Sequence, residues 1–269
     1  MGAARDADLS HVDDGRGARP GRAVAAAVAA DPAVGADDVV IPVVAECDDS
    51  WLSDAAVVQV EAEDAGRALE RARGGAVAEG AVGAGTGMVC FGWKGGIGTA
   101  SRLAPDSGAT VGVLLLANFG AAPDLRVDGV PAGRSLPDPK AGPPRPAGSC
   151  IAVVATDAPL APAQLERLAR RAGLGLARTG SVAHHGSGEI FLAFSTAGRR
   201  PREHFGRRSP EQSLPDAELD PLFAATVDAT EEAVLNALWA AADVRGREGR
   251  VAHGLPHEPV LEMLRADGR

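Results

Sequence analysis

Three apolar runs without polar alternation mark the middle of the chain: Val111–Ala117, Ile151–Thr156 and Ile190–Phe194. Continuous runs of this length are typical of strands that are covered on both faces. Between the second and third runs, apolar residues recur at helical spacing after Pro162, and proline is tolerated in a first helical turn. This stripe consists of Leu165, Leu168, Ala169, Ala172 and Leu176. Strands that alternate with helices predict a layered α/β architecture.

Weaker patterns predict the remaining elements. A second long helix is expected from about Asp216 to Asp243, with a buried stripe of Phe223, Val227, Val234 and Leu238. The second half of Ser53–Arg73 and the short piece Val260–Leu264 also have helical spacing. Near the start of the chain we expect a short helix at Val24–Ala30 and a short strand at Val39–Val44.

Composition and charge narrow the class of protein. The formal net charge is -9, which argues against nucleic acid as a general partner because phosphate binding needs a basic face. The basic cluster at residues 199–208 is interpreted as a solvated loop, with a substrate-steering patch as the alternative. The three cysteines include no CxxC pair, which favours a reduced cytoplasmic protein. No signal-peptide core is visible, and Ala23–Ala30 is too short to span a membrane.

One junction carries the strongest chemical signal. A proline-rich linker, residues 136–147, ends at Gly148-Ser149, directly before the second apolar run. A cut between these two residues would make Ser149 a new N-terminus, which carries a nucleophile and an amine base on one residue. Asn118 follows the first apolar run, and Gly186-Ser187-Gly188-Glu189 leads into the third. Each of these segments alone is typical of a turn.

Taken together and in order, the segments resemble a known family. The blocks A-G-S-C-I-A-V-V-A-T-D-A-P-L, H-G-S-G-E-I-F-L-A-F-S-T-A, K-G-G-I-G-T-A-S-R and A-N-F-G are similar to DmpA-type L-aminopeptidase/D-esterases and β-peptidyl aminopeptidases, the P1 family or peptidase family S58. The resemblance covers about residues 40–265. It implies an αββα sandwich of the DmpA and ornithine acetyltransferase-like type, which is related to the Ntn hydrolases.

The resemblance also implies roles for particular residues. The chain would cut itself at Gly148-Ser149 into an α chain, residues 1–148, and a β chain, residues 149–269. Ser149 would be the nucleophile, Ser187 and Glu189 would orient and deprotonate it, and Asn118 would donate to the oxyanion. The substrates would be N-terminal residues of short peptides, amides or esters, with no metal or organic cofactor. Cleaved αβ pairs would assemble into a homo-oligomer.

The family pattern leaves several points open. The base is either the Ser149 amine or the Ser187-Glu189 relay, whose members lie two apart in sequence and so share a strand face. Residues 1–35 are expected to be disordered or outside the family pattern, and residues 36–269 to form one catalytic domain that lacks an N-terminal segment of the family. The alternatives are an ornithine acetyltransferase-like acyltransferase, which uses threonine instead of serine, and an inactive truncated remnant. Substrate stereochemistry and the choice of α or β peptides stay undecided.

Four further signals receive mainly structural interpretations. The glycine-dense segment Gly83–Gly98 lacks a phosphate-binding pattern and is expected to form strands and turns that line the pocket. His184 and His185 lack partners at metal-ligand spacing. Cys150 is interpreted as a small core residue. Acidic residues upstream are assigned to loop capping, with contact to a substrate amine as a second role; they are Asp48, Asp49 and Asp54.

Overall fold

The structure is a computed structural model that describes residues 43–54, 57, 60–105, 107–139, 147–197 and 213–269. Three predicted features lie wholly or mostly outside these residues: the helix at Val24–Ala30, the strand at Val39–Val44 and the basic cluster at 199–208. The chain divides into two compact units. One comprises residues 1–46 and 55–76, and its described part contains one helix, Ala62–Glu70, as the sequence predicts. The other comprises residues 47–54 and 77–269.

The described strands and helices are numbered in chain order. The strands are β1 (Val89–Cys90), β2 (Trp93–Lys94), β3 (Gly96–Leu103), β4 (Thr110–Asn118), β5 (Ala147–Thr156), β6 (Gly186–Ser195), β7 (Val244–Arg245) and β8 (Val251–Ala252). The helices are α1 (Ala62–Glu70), α2 (Pro162–Arg178), α3 (Asp220–Trp239) and α4 (His257–Ala266). Among these described helices, none combines the length and the apolar character needed to cross a membrane.

A four-stranded mixed sheet forms the centre of the larger unit, in the order β3-β4-β5-β6. The pairs β3-β4 and β4-β5 are antiparallel, whereas β5 and β6 are parallel and are joined through α2. A parallel pair needs such a crossover connection because a tight hairpin can join only antiparallel strands. The register places Asn118 opposite Ser149, and Ser149 opposite Gly188, at one end of the sheet. The three sequence segments that carry the family resemblance therefore meet there.

Helices α2 and α3 pack on one face of the sheet and enclose the main core. The sheet contributes fully buried residues such as Leu115 and Ala152, and the helices contribute Leu168 and Val234. Small residues let the layers approach closely. A Cβ atom added at Gly98 in β3 would lie 1.8 Å from the carbonyl oxygen of Ala233 in α3. The predicted α/β class is confirmed by this arrangement.

The opposite face of the sheet is unevenly covered. At one end, Met88 and Leu116 form a small cluster with Cys47, against which Ile97 and Ile151 pack. Strand β6, at the edge of the sheet, instead alternates between half-buried and exposed positions along its length. Phe194, for example, is 48% exposed. The prediction that the third apolar run is covered on both faces is therefore wrong.

Two strands begin earlier than the apolar runs indicate. Strand β5 includes Gly148 and Ser149, and β6 includes Ser187 and Glu189. The backbones of these small and polar segments pair with each other, Gly148 with Ser187 and Ser149 with Gly188. Their sequences resemble turns because glycine and serine are uncommon inside strands. The ladder between β5 and β6 stabilises extended backbone that side-chain pattern alone does not indicate.

We predict that Gly98→Ala destabilises the protein by about 1–3 kcal/mol, because the new methyl group meets the α3 backbone and the helix must move off the sheet. The control is Gly112→Ala in β4, where an added Cβ has no neighbour within 4 Å. Urea unfolding of both variants measures the difference. Equal midpoints would mean that the close contact between Gly98 and Ala233 does not constrain the fold.

Candidate active site

Asn118 is the last residue of β4, and its side chain is buried and fully oriented. Its Oδ1 accepts a hydrogen bond from the backbone N–H of Val89, at 2.9 Å. Its Nδ2 donates to the carbonyl oxygen of Asp48, also at 2.9 Å. An amide Nδ2 carries two N–H groups, so one of them is left for another acceptor.

The predicted cleavage bond lies inside β5, directly beside Asn118. A Cβ atom added at Gly148 would lie 2.2 Å from the Asn118 carbonyl oxygen and 2.7 Å from Cα of Phe119. The close approach therefore requires glycine at residue 148. The next residue, Ser149, has a buried hydroxyl that makes no hydrogen bond among the described residues. Buried polar groups are rarely left without a partner, and such exceptions often occur at catalytic groups.

Ser187 and Glu189 form a preassembled pair in β6. The Ser187 hydroxyl donates to Oε1 of Glu189 at 2.6 Å, which confirms that the two side chains share one face of the strand. The Ser187 N–H donates to the carbonyl oxygen of His184 at 2.7 Å, which fixes the start of the strand. A hydroxyl that donates to a carboxylate keeps its own oxygen available as an acceptor.

The register separates Ser149 from this pair in the uncut chain. Ser149 is opposite Gly188, whereas Ser187 and Glu189 occupy the positions on either side. Successive side chains alternate between the two faces of a sheet, so the Ser149 side chain projects from the face opposite to Ser187 and Glu189. The structure thus brings Ser149 and Asn118 to one face, and it places the Ser187-Glu189 pair on the other face at the same end of the sheet.

A small cavity opens at this end of the sheet. Its volume is about 120 Å³, below the roughly 300–1,000 Å³ typical of pockets for drug-sized ligands, so the uncut chain has room there for a small group. The lining residues are Asp48, Ser50, Trp51, Gly87, Val89, Asn118, Gly148 and Gly186. The prediction that the segment Gly83–Gly98 lines the pocket is confirmed by Gly87 and Val89.

A larger cavity, of about 250 Å³, lies elsewhere on the same unit. It is lined by Asp124, Arg126, Arg134 and neighbouring residues, and it contains none of the predicted site residues. The smaller cavity borders the cleavage bond, so we assign the candidate active site to it in spite of its size. In the described ranges, no three His, Cys, Asp or Glu side chains are grouped closely enough to hold a metal ion.

The upstream acidic residues have distinct environments. Asp48 lines the small cavity, and its Oδ1 accepts from the backbone N–H of Ser50 at 2.8 Å, as expected of a capping residue. The carbonyl oxygen of Asp49 accepts from Leu52 and Ser53 in a turn. Of the three predicted acidic residues, Asp48 is the one that lines the cavity.

Lys94 is a feature that the sequence analysis missed. Its side chain is completely buried, and its Nζ donates to the carbonyl oxygens of Gly85, Met88 and Gly95 at 2.7–2.8 Å. Burial lowers the pKa of this lysine from 10.5 to about 8. Composition could have drawn attention to Lys94, because the sequence contains only two lysines and one of them lies in an apolar, glycine-dense segment.

Cys150, directly after Ser149, is fully buried among core residues. Burial raises the pKa of its thiol well above 9.0, with nearby Cys90, Cys47 and Glu189 adding to the shift. Burial also raises the pKa of Cys90 to about 12. Because the thiolate is the reactive form, these shifts argue against a cysteine nucleophile. They support the interpretation of Cys150 as a core residue.

The sequence is similar to one protein family and to curated members of it. The model of peptidase family S58 matches residues 17–252. The chain is 44% identical over 240 residues to the β-peptidyl aminopeptidase BapA of Sphingosinicella microcystinivorans, a match that covers 83% of this chain and 61% of BapA. It is 43% identical over 241 residues to BapA of Sphingosinicella xenopeptidilytica, covering 84% of this chain and 60% of that protein. The chain therefore spans about three fifths of the length of these curated relatives.

A solved structure has the same fold. The L-aminopeptidase D-Ala-esterase/amidase of Ochrobactrum anthropi superposes with a TM-score of 0.84 at 40% identity, over 94% of this chain and 71% of that chain. That enzyme is described as a prototype of the serine aminopeptidases and a new variant of the Ntn hydrolase fold. A β-aminopeptidase of a Burkholderia species superposes with a TM-score of 0.82, also at 40% identity, over 94% of this chain and 71% of that chain. The predicted fold type is thereby confirmed.

We predict that Cys90 and Cys150 resist alkylation in the folded protein at pH 8, because both thiols are buried and their raised pKa values keep them protonated. Mass spectrometry after a short iodoacetamide pulse measures the labelling of each cysteine. The control is the same pulse in 6 M guanidinium chloride, where both thiols should react. Rapid labelling of Cys150 in the folded protein would instead support Cys150 as the nucleophile.

Proposed function

This chain belongs to peptidase family S58, and we propose that it is a self-processing serine aminopeptidase. In this proposal the chain cuts itself between Gly148 and Ser149, and Ser149 then hydrolyses N-terminal residues from short peptides, amides or esters. The observation that carries the proposal is the buried Ser149 hydroxyl, which lies beside Asn118 at a bond that borders the cavity and has no hydrogen-bond partner among the described residues. Similarity to aminopeptidases over most of the chain supports it.

The self-cleavage step is an N-to-O acyl shift. Ser149 Oγ attacks the carbonyl carbon of Gly148, the C–N bond to Ser149 breaks, and the released nitrogen takes up the proton that the hydroxyl loses. Water then hydrolyses the resulting ester, which gives the carboxylate of Gly148 and restores the hydroxyl. The tight packing of Gly148 against Asn118 and Phe119 supports this site, because it holds the carbonyl in a fixed position.

The proposed relay needs the cut. While the backbone is continuous, the strand register keeps the Ser149 hydroxyl on the face opposite to Ser187 and Glu189. After scission, residue 149 is a chain end and can turn about its own backbone torsions, so its hydroxyl and its new amine can exchange sides. We propose that the hydroxyl then meets Ser187, whose bond to Glu189 is already in place. The Ser149 amine, with a reference pKa of about 7.7–8.0, is the alternative base.

Substrate turnover uses the same groups. Ser149 attacks the acyl carbon of the N-terminal residue, an acyl-enzyme forms as the leaving amine departs, and water hydrolyses it. The second Nδ2 hydrogen of Asn118, which has no acceptor among the described residues, donates to the oxyanion, and a comparable donor contributes on the order of 3 kcal/mol. Asp48 lines the cavity, and in this proposal its carboxylate attracts the substrate ammonium group. Because its relatives include β-peptidyl aminopeptidases and an L-aminopeptidase, we propose β-amino acid and L-amino acid amides as the first substrates to test.

The rival functions have less support. An ornithine acetyltransferase-like acyltransferase would use threonine, whereas residue 149 is serine, and both BapA and the Ochrobactrum enzyme are aminopeptidases. An inactive remnant would have no need for the Ser187-Glu189 hydrogen bond or for an oriented Asn118 amide. We also propose that the protein is cytoplasmic and that its cleaved αβ pairs assemble into a homo-oligomer. The buried thiols of Cys90 and Cys150 agree with a reducing compartment.

We predict that the purified 269-residue chain converts on incubation into two fragments that end at residue 148 and begin at residue 149. Ser149→Ala should stay intact, because the attacking hydroxyl is gone. Denaturing mass spectrometry gives the fragment boundaries. Cys150→Ala is the matched control and should cut at the same bond. An intact wild-type chain after prolonged incubation would contradict self-processing, and loss of cleavage in Cys150→Ala would move the nucleophile to the thiol.

We predict that Glu189→Gln lowers kcat on β-alanine and L-alanine p-nitroanilides by about 10²–10⁴-fold with little change in KM, because the relay loses its charged acceptor while the cavity is unchanged. Pre-cleaved enzyme should be used, so that a processing defect is not counted. Glu166→Gln, an exposed glutamate on α2 that pairs with Arg170, is the control. A Glu189→Gln enzyme with wild-type kcat would leave the Ser149 amine as the base.

A further inference from the structure

Lys94 is a buried cation that the proposed mechanism does not use. Among the described residues its ammonium group meets no carboxylate; its three hydrogen bonds go to the carbonyl oxygens of Gly85, Met88 and Gly95. Burial of a charge costs several kcal/mol unless the surrounding groups compensate for it. An apolar residue would fill the same space without that cost, so the presence of a buried charge at residue 94 needs an explanation.

The position of Met88 connects this lysine to the candidate site. The Met88 carbonyl oxygen accepts from Lys94 Nζ at 2.8 Å. The N–H of the same peptide group belongs to Val89 and donates to Oδ1 of Asn118 at 2.9 Å. One peptide plane thus joins the Lys94 ammonium to the Asn118 amide, and Nδ2 lies at the far end of that amide.

Hydrogen bonds that share a conjugated group reinforce each other. A cation at the carbonyl oxygen draws electron density through the peptide and makes its N–H a stronger donor. That N–H in turn draws density from Oδ1 of Asn118, which makes the Nδ2 hydrogens more positive. A polarised, fixed amide is a better donor to a developing oxyanion than a mobile one.

We propose that Lys94 is a positioning residue that orients and polarises Asn118 through the Met88–Val89 peptide, so that the Asn118 amide is a stronger donor to the oxyanion formed at Ser149. The catalytic part of this inference rests on the proposed function, whereas the coupling between Lys94 and Asn118 does not. The coupling can therefore be tested in a chain that never cleaves.

The charge of Lys94 can be changed in a useful pH range. Burial lowers its pKa to about 8, so the ammonium form dominates at neutral pH and is lost as the pH rises through that value. The thiol of Cys90 interacts with it electrostatically and stays neutral there, since its own pKa is raised to about 12. Around the bonded carbonyls, the Asp49 side chain approaches Gly87, and the Lys94 N–H donates to the carbonyl oxygen of His253. The His253 ring is paired with Asp243.

The sequence offers a simple probe of the coupling. It contains two asparagines, Asn118 and Asn236, and two lysines, Lys94 and Lys140. Asn236 donates from Nδ2 to the carbonyl oxygen of Thr99, and it provides an internal control on α3. We would label asparagine with ¹³Cγ and ¹⁵Nδ2, and lysine with ¹³Cε, in uncleaved Ser149→Ala. Carbon-detected NMR between pH 6.5 and 9.5 then follows both amides and both ammonium groups without loss from solvent exchange.

The expected result is a shift of the Asn118 ¹³Cγ and ¹⁵Nδ2 signals with the same midpoint as Lys94, while those of Asn236 stay constant. In Ser149→Ala/Lys94→Met the Asn118 shift should vanish, with the Asn236 signals unchanged as evidence of folding. Asn118 signals that stay flat while Lys94 titrates would overturn the proposal, even if the Met variant does not fold. An Asn118 shift that persists in a folded Met variant would overturn it as well.

Kinetics test the catalytic part. In pre-cleaved Lys94→Met we expect a kcat that is about tenfold lower on ester and amide substrates, with unchanged KM, since the substrate does not touch the lysine. If the lysine charge matters, the kcat of the wild-type enzyme should decline above pH 8 as Lys94 loses its proton, and Lys94→Arg, which keeps the charge at high pH, should remove that decline. If wild-type chain never cleaves, the proposed function fails while the NMR result stands. A normal kcat in folded Lys94→Met, with the NMR coupling present, would limit Lys94 to a structural role.

Discussion

The pairing of β5 with both of its neighbours at one end of the sheet determines the rest of this site. The antiparallel register brings Asn118 beside Ser149, and the parallel register brings Ser187 and Glu189 to either side of that position. A shift of β5 by one residue would move every side chain of the strand to the opposite face and break the core against α2 and α3. The hydrophobic core therefore fixes which residue of β5 lies beside Asn118, and this residue is the proposed nucleophile.

The same pairing gives the segment around the Gly148–Ser149 bond two features that are unusual in a strand. Ser149 has a buried hydroxyl with no hydrogen bond among the described residues, and Gly148 has no room for a side chain. An unsatisfied buried hydroxyl costs about 1–3 kcal/mol, which the surrounding ladder and core compensate. Scission would free residue 149 from the ladder on its N-terminal side and let the hydroxyl find a partner. The core thus stabilises a local arrangement that the proposed cleavage would relieve.

The sequence predicted the helices and strands that are marked by a pattern of buried apolar residues. It was less informative where backbone pairing determines the bounds of a strand or where a single charged side chain is buried. Helix α2 and strand β4 follow their apolar residues closely. The early starts of β5 and β6 depend on glycine and serine backbones that pair with each other, and no side-chain pattern reports such pairing. The exposed face of β6 depends on which layers pack on the sheet, and that is a property of the tertiary structure. The Lys94 ammonium binds backbone carbonyl oxygens up to nine positions away, and such acceptors cannot be recognised from residue type.

In the proposed mechanism, the Asn118 amide would link substrate binding to oxyanion stabilisation. In the uncut chain its Oδ1 is occupied by Val89 and one of its two Nδ2 hydrogens by the Asp48 carbonyl. An oxyanion must take the second hydrogen or displace Asp48. Asp48 also lines the cavity, so in the proposed mechanism a substrate ammonium that attracts this residue would pull on the backbone that holds the amide. Occupation of the amine position and orientation of the proposed oxyanion donor would then be coupled, which would favour substrates whose free amine and scissile carbonyl are a short, fixed distance apart.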